Sequence, residues 1–370
     1  MAATQSADTV RTELLSRVLA EEVLDMPWLD RSAARSVLSA QGLPFPGKGR
    51  WQYSDLRALV EDAMTLEDAH EALGPVQNVE IRYLDRPATD AQMIELGSSD
   101  GVGELPLIDV NSLLFRSGTK LLADGNASLA AINDATGSVD RHLVSVVQGA
   151  TLQLDERFES GNRVVLCRVR DSATLNYDLT MPSTDGVGYH CLVVWLAEDS
   201  SLNLRLASQG AQIRRSDIIV NVMGRNASAT LSGGWLLENR DHLDTQVYVN
   251  HRIGQSRSEQ SFHGVVDDQA RSTFSGFIRI DRDANGTEAH LTNRNIALSP
   301  QARAHAQPEL EIYTDDVICS HGATTGQLDD DSLFLLRARG IGEESARAML
   351  TKGFLRQVIH SESGTALLSL

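Results

Sequence analysis

The chain has 370 residues, of which 42% are hydrophobic and 5% aromatic, and 33 basic against 50 acidic residues give a formal net charge of −17. The length predicts two or three structural regions with a mainly aliphatic core, and the charge disfavours non-specific binding to nucleic acids or anionic membranes. Three cysteines, no signal-peptide pattern and no apolar run of about 18 residues predict a cytoplasmic protein without disulfide bonds or a membrane span.

The N-terminal region, residues 1–78, is predicted to be helical. Apolar residues recur at helical spacing over residues 14–23, which is typical of an amphipathic helix. A second helix is predicted from the N-cap Asp30 to Gly42, and a third from the N-cap Ser54.

Residues 79–328 are predicted to form a β-region, because short aliphatic runs there are separated by Gly, Asn, Asp and Ser. A short phrase recurs along it, such as ATLQL at residues 150–154 and SSLNL at residues 200–204. Strands without helical crossovers form either an antiparallel sandwich or a β-helix, and a phrase that recurs once per coil favours the parallel β-helix. The central apolar residues of the phrase are Leu152, Leu175, Leu202, Leu231 and Phe274.

The C-terminal region, residues 329–370, is predicted to contain a pair of helices. The acids that begin at Asp329 suit a helix N-terminus, and Gly340 suits the end of that helix. The second helix carries an apolar stripe that includes Met349 and Phe354. The pair either packs on the core or provides a docking surface for a partner, and the pattern leaves both interpretations open.

Cys319 and His321 form the pair with the clearest chemical potential. They are two residues apart, so on a strand both side chains point to the same face. A thiol and an imidazole on one face can bind a soft or borderline metal, or relay sulfur. The plainer interpretation is a buried cysteine beside a hydrogen-bonded histidine, because two ligands do not complete a metal site.

Three other patterns suggest chemistry but are poor matches. Residues 42–49 nearly spell a phosphate-binding loop, yet they lack the final Ser or Thr and contain two prolines. Residues 339–346 have the glycines of a DNA-binding helical hairpin, but two glutamates and the acidic chain argue against it. Acid pairs at 267–268 and 315–316 would suit a carbohydrate-cleaving enzyme built on a β-helix, although neighbours on a strand face opposite ways.

Four overlapping or adjacent segments, residues 261–298, 297–312, 310–341 and 339–354, resemble the C-terminal part of the SufB/SufD family of iron–sulfur cluster assembly scaffolds. So long a match at many fixed spacings is far more specific than a short motif. The resemblance implies a mainly β fold: a right-handed parallel β-helix core flanked by N-terminal and C-terminal α-helical regions.

The resemblance also implies roles for individual residues. In the SufB branch, a cysteine implicated in receiving sulfur stands where this chain has Arg294, and a glutamate stands where it has Gly322. The motif CSHGAT at residues 319–324 is the form typical of the SufD branch. There the histidine is implicated in cluster formation at the interface with SufB, which implies that role, as a ligand of iron or of a nascent cluster, for His321. Cys319 is implied as an auxiliary ligand.

Partners follow from the same resemblance. Family members pair with a SufB-type paralogue and with two copies of a SufC-type ABC ATPase, which carries the ATPase activity, so this chain is expected to be a scaffold and not an enzyme. An isolated chain is expected to hold no tightly bound cofactor and to bind iron or a transient Fe–S cluster only at the interface with SufB. Without its partners, the chain is expected to be able to form a homodimer. The helical pair would dock the ATPase through Asp329, Leu333, Leu336, Met349 and Phe354.

Overall fold

The computed structural model describes residues 7–20, 31–43, 58–61, 76–83, 106–115, 117–132 and 138–369, and within them the chain passes through two sheets. In spatial order, the nine-stranded sheet contains β1 (Val79–Tyr83), β2 (Ser117–Ala123), β4 (Ser138–Val146), β6 (Gly161–Val169), β8 (Thr184–Leu196), β10 (Ala211–Val222), β12 (His242–His251), β14 (Arg271–Ile280) and β16 (Arg303–Ile312). The eight-stranded sheet contains β3 (Asn126–Ile132), β5 (Thr151–Arg157), β7 (Thr174–Met181), β9 (Ser201–Gln209), β11 (Ser228–Leu237), β13 (Arg257–Val266), β15 (Thr287–Ala297) and β17 (Val317–Gly326).

The two sheets are the walls of a parallel β-helix. From β2 onward, successive strands alternate between the sheets, and each strand pairs in parallel with the strand two positions earlier or later. Each coil therefore contributes one strand to each wall. Strand β1 is the exception, because it runs antiparallel to β2 and covers the first edge of its sheet. The predicted fold class is confirmed.

Aliphatic side chains fill most of the lumen between the sheets, as the low aromatic content predicts. Residues in register on neighbouring coils point to the same side, so they form columns along the axis of the β-helix. Leu152, Leu175 and Leu202 stand in one such column, as the recurring phrase predicts. The prediction was wrong for its last two members, since Leu231 stands two residues further along its strand and Phe274 lies in the other sheet.

One corner between the sheets is a stack of similar turns. In each turn the backbone N–H of a residue with positive φ donates to a carbonyl of the next coil, as Ser172 N does to Glu198 O at 2.8 Å. These bonds continue the hydrogen-bond ladder around the bend, so the backbone polar groups there are satisfied. The residues with positive φ are Gly149, Ser172, Asp199, Asn226, Gln255 and Gly286.

Three helices pack on the outer face of the nine-stranded sheet: α1 (Ala7–Ala20), α2 (Arg31–Gln41) and α3 (Pro106–Leu114). The first two confirm the predicted helices, and Gly42, with a φ of 72°, ends α2. A helical segment at 58–61 lies within the third predicted helix. The predicted caps Asp30 and Ser54 and most of the loop at 42–49 lie outside the described residues.

Helix α3 differs from the expectation of strands after residue 79. Pro106 at its first position and Asp109 in its first turn are helix-start signals that this expectation overlooks. The buried guanidinium of Arg141 holds α3 on the sheet, donating to Asn111 Oδ1 (3.1 Å) and Ser112 Oγ (2.8 Å). The outer face of the nine-stranded sheet is thus buried in part, mainly from β4 to β12, and its outward residues on β16 are exposed; the lumen face forms the main core.

Three further helices follow β17: α4 (Asp330–Ala338), α5 (Glu343–Leu355) and α6 (Glu362–Leu367). Leu355, Val358 and Ile359 pack with Ala207 and Val265 of the eight-stranded sheet, so the end of α5 and the segment after it lie on this wall. Helix α4 packs mainly against α5. No helix in the described part of the chain is long and apolar enough to cross a membrane.

Candidate functional site at the last coil

The last coil, formed by β16 and β17, has an uncovered side. Among the described strands, β16 pairs only with β14 and β17 pairs only with β15, so each has one edge of unpaired backbone groups. Pro308 is tolerated in β16 because an edge strand does not need every N–H as a donor. Such an edge is a template for pairing with another chain unless it is blocked or covered.

Cys319 and His321 stand at the mouth of the lumen. In β17 they are in register with Ala289 and Leu291 of β15, both of which are buried in the core. Because residues in register share a face, the thiol and the imidazole both point to the lumen side of the last coil. The predicted common face is therefore present, and it lies at the open end of the β-helix.

The two side chains differ in environment. Cys319 is partly buried against the core, and this burial raises the pKa of its thiol above the usual value, although a hydrogen bond with the backbone of Ala289 opposes the shift. His321 is exposed. The thiol is thus protonated at neutral pH and needs a metal or a base to become a ligand or nucleophile.

Two donors do not complete a metal site. Across the described ranges, no group of three or more His, Cys, Asp or Glu side chains is arranged to hold a metal ion. Whatever binds at Cys319 and His321 must therefore bring its own ligands.

Exposed apolar residues surround this open coil. Ile312 and Tyr313 lie at the end of β16 and the corner after it, and Ile318, which is 62% exposed, lies in β17. Large apolar side chains that remain exposed together mark interaction surfaces. These three side chains therefore lie on the last coil near its unpaired backbone edges, and Ile318, directly before Cys319 in β17, points to the outer face.

Arg294 and Gly322, the positions that separate the two branches of the resembled family, lie on the other face. Arg294 in β15 alternates with the buried Asn293 and Asn295, so its exposed side chain points outward, away from the lumen. Gly322 in β17 has open space around it. The structure therefore does not bring Arg294 together with His321.

The residues predicted to dock a partner are divided between the inside and the outside of the helical pair. Asp329 caps α4 through its carboxylate, which accepts a hydrogen bond from Ser332 N at 3.0 Å. Leu333 is buried, Leu336 is half-buried and Phe354 stacks on His263. Of the apolar residues predicted for this surface, Met349 is exposed, at 52%.

Phe334 and Leu335 of α4 are exposed apolar residues of the helical pair that the sequence analysis misses. Their side chains are 72% and 54% exposed on α4. The run SLFLL was a usable signal, because an amphipathic helix buries one stripe and cannot bury four apolar neighbours in succession.

The remaining chemical patterns serve local structure. Gly340, with a φ of 85°, ends α4, and Gly342 is the N-cap of α5, so these glycines form the turn of the helical pair. Asp267 accepts a hydrogen bond from Asp268 N, and Asp268 accepts one from Asn239 N at 3.0 Å. Both acids of this pair thus cap turns, so this pair gives the carbohydrate-enzyme interpretation no support.

Comparison with known proteins places the chain in a family. Residues 129–354 match the family model described as SUF system FeS cluster assembly, SufBD core domain. The iron–sulfur cluster assembly protein SufD of Escherichia coli is 32% identical over 163 residues, which are 44% of this chain and 38% of that protein.

Mycobacterial relatives extend the match. An iron–sulfur cluster assembly SufBD family protein of Mycobacterium leprae is 32% identical over 172 residues, 44% of each chain. One of Mycobacterium tuberculosis is 26% identical over 311 residues, 75% of this chain and 76% of that protein. The matches to the first two relatives span less than half of those proteins' own length. Since the family model covers well over half of the chain and the β-helix agrees with it, the chain belongs to the SufB/SufD family and is SufD-like within it.

Proposed function

We propose that this chain is a SufD-type scaffold subunit that takes part in assembling iron–sulfur clusters together with a SufB-type paralogue and a SufC-type ABC ATPase. The observation that carries the proposal is the open last coil, where Cys319 and His321 share the lumen face beside two unpaired strand edges. A scaffold needs such a surface, because its ligands become a complete site only when a second protein closes over them.

The paralogue is the partner proposed for this open coil. A second β-helix that pairs with β16 and β17 would satisfy their backbone groups and bury Ile312, Tyr313 and Ile318. When the paralogue is absent, a second copy of this chain takes the same place. Either partner closes the lumen over Cys319 and His321.

Iron and sulfide are the substrates at this interface. His321 supplies a neutral imidazole nitrogen, and Cys319 supplies a sulfur ligand once its proton is displaced by the metal. The paralogue supplies the remaining ligands. The cluster is built between the two proteins and leaves for an acceptor, so this chain binds and orients and does not itself hydrolyse ATP.

The ATPase is the partner proposed for the helical pair. Phe334, Leu335 and Met349 form an exposed apolar surface on α4 and α5, which we call the helical-pair surface. Closure of the ATPase on its nucleotide would move this surface. Because the end of α5 is anchored on the β-helix, this movement would change how the last coil packs against the paralogue.

Co-purification with both partners tests the proposal. A tag on this chain should retain one SufB-type and two SufC-type subunits, and the complex supplied with iron and a sulfur donor should accumulate protein-bound iron and sulfide. His321→Ala should leave the complex intact and reduce the bound iron and sulfide at least ten-fold. His305→Ala, on the outward face of β16, is the matched control and should retain them.

Two results would contradict the proposal. If the tagged chain retains neither partner, the family likeness gives the fold without the assembly. If His321→Ala loads iron and sulfide as well as the parent complex does, the mouth of the lumen is not the assembly site.

A further inference from the structure

A cleft of about 350 Å³ separates the ends of β15 and β17 from the helical pair. Its volume is at the lower end of the range of small-ligand pockets, roughly 300–1,000 Å³. Ile296 of β15 and Leu350 and Phe354 of α5 form an apolar wall, while Arg294, Thr324 and Ser332 form a polar one. The cleft opens on the outer face, so it is separate from the mouth of the lumen that holds Cys319 and His321.

Arg294 is an uncompensated cation in this cleft. Among the described residues no carboxylate forms an ion pair with its guanidinium, although the chain has 50 acidic residues. Its nearest outward-facing positions on the same strand and on the strands to either side carry no acid; they are His263, Thr324, Thr292, Ile296, Ser261, Val265, Gly322 and Gly326. The charge of Arg294 also acts on its neighbour, since it adds to the effect of burial in lowering the pKa of His263.

Asp329 is the one acid among the described residues that line the cleft, and its carboxylate already accepts two hydrogen bonds. Its carboxylate accepts from Ser332 N and from Ser332 Oγ at the first turn of α4, where the helix dipole favours its charge. The five N–H donors of the Arg294 guanidinium are therefore not paired with the carboxylate of Asp329, and the apolar wall lies in the same cleft.

We propose that this cleft binds a small organic acid, with its carboxylate paired to Arg294 and its apolar group packed on Leu350 and Phe354. One uncompensated cation matches one negative charge, and the planar guanidinium matches a carboxylate in a bidentate arrangement. A phosphate ester with two negative charges would leave one charge unpaired beside Asp329. The apolar wall selects an acid with a hydrocarbon or aromatic part over acetate.

Calorimetric titration with 3-phenylpropionate and with its uncharged amide, 3-phenylpropionamide, tests the proposal. The acid should bind the intact chain at sub-millimolar concentration, and the amide should bind at least ten-fold more weakly. Arg294→Gln should weaken binding of the acid at least ten-fold without affecting folding, because the side chain is exposed. Arg271→Gln, an exposed arginine of the other sheet, should bind the acid as the parent chain does.

Three outcomes would overturn the proposal: no binding of the acid to the parent chain at millimolar concentration, equal binding of acid and amide, or equal binding to the Arg294→Gln chain. Repeating the titration on the complex with the paralogue and the ATPase distinguishes the source of the carboxylate. If the complex excludes the acid and Arg294→Gln weakens the complex itself, the cleft holds an acidic side chain of a partner and the small-acid proposal is rejected.

Discussion

His263 Nδ1 lies 2.9 Å from the carbonyl oxygen of Phe354, and the two rings stack with their centroids 4.3 Å apart. This pair joins β13 to the last turn of α5, next to the apolar contacts of Leu355. His263 must carry its proton on Nδ1 to donate this hydrogen bond. The helical-pair surface is therefore held to the β-helix partly by one imidazole.

His263→Ala is expected to loosen the helical pair without unfolding the β-helix. Loss of the hydrogen bond and of the ring contact costs about 1–2 kcal/mol, which corresponds to roughly five- to thirty-fold faster opening. Hydrogen exchange of the α5 amides measures this opening. His290→Ala is the control, because His290 bonds Ser320 of β17 and does not contact α5. Unchanged exchange in His263→Ala would show that the apolar contacts alone hold α5.

Gly264→Ala is expected to destabilise the core of the β-helix. A Cβ at this position would overlap both Trp235 Nε1 and Asn295 Oδ1, which lie in register on the neighbouring coils. Overpacking of a filled core typically costs about 1–3 kcal/mol. Urea denaturation measures the free energy of unfolding of the variant and of the parent chain.

Gly353→Ala is the matched control for that prediction. Gly353 lies within α5, and a Cβ there would meet open space. Alanine favours a helix over glycine by about 0.5–1 kcal/mol, so this change should be neutral or stabilising. The packing argument fails if the two variants change the free energy of unfolding in the same direction.

The recurring phrase favours the β-helix over an antiparallel sandwich and the family resemblance decides between them, but neither gives the placement of residues on faces. The phrase correctly predicts one column for Leu152, Leu175 and Leu202, because their coils repeat it with little variation. The phrase predicts the wrong sheet for Phe274, because it also occurs in the nine-stranded sheet and spacing alone does not say which sheet a strand joins. The sheet that a strand joins is decided by its pairing register, which depends on every preceding coil.

The candidate site also has features that the sequence predicts and features that it does not. The common face of Cys319 and His321 follows from the two-residue period of a strand, so the sequence predicts it. Their position at an open end does not, because it depends on β17 being the last strand of its sheet. The exposure of Phe334 and the burial of Leu333 likewise depend on how α4 turns against α5, which an apolar run on both faces does not specify.

Glu156 is the centre of a buried ionic cluster that should make the fold sensitive to acid. Burial alone would raise the pKa of Glu156, but His190, Arg163 and the phenol of Tyr177 together lower it to about 2. Because this pKa is lower in the folded chain than in the unfolded chain, where it is about 4.5, the ionised carboxylate stabilises the fold at pH values above 4.5. That stabilisation is lost as the pH falls from 4.5 towards 2. We therefore expect the free energy of unfolding to decrease over that range.

Glu156→Gln separates this effect from general acid unfolding. The variant removes the buried carboxylate that faces His190, while Arg163 keeps its ion pair with Asp140 at 2.7 Å, so it should lose about 3 kcal/mol at neutral pH. The difference in the free energy of unfolding between the parent chain and the variant should then shrink between pH 4.5 and 2. Glu259→Gln, at an exposed position of β13, is the control and should change little at any pH. A difference that stays constant with pH would contradict the low pKa of Glu156.

The helical-pair surface and the open last coil should be separable by mutation. Phe334→Ser with Leu335→Ser removes exposed apolar groups, so the free energy of unfolding should change by less than about 0.5 kcal/mol. The same change should weaken binding of the SufC-type ATPase at least ten-fold, because exposed aromatic anchors carry much of an interface's binding energy. Calorimetric titration with the purified ATPase measures this affinity.

Ile318→Ser is the reciprocal variant, since Ile318 is 62% exposed on β17 at the other surface. It should weaken binding of the SufB-type paralogue and leave ATPase binding unchanged, whereas the α4 double variant should do the reverse. This reciprocity arises because the two surfaces lie on different elements and share no side chain. If either variant reduces both affinities equally, the two partners do not use separate surfaces, and the docking assignment of α4 and α5 is wrong.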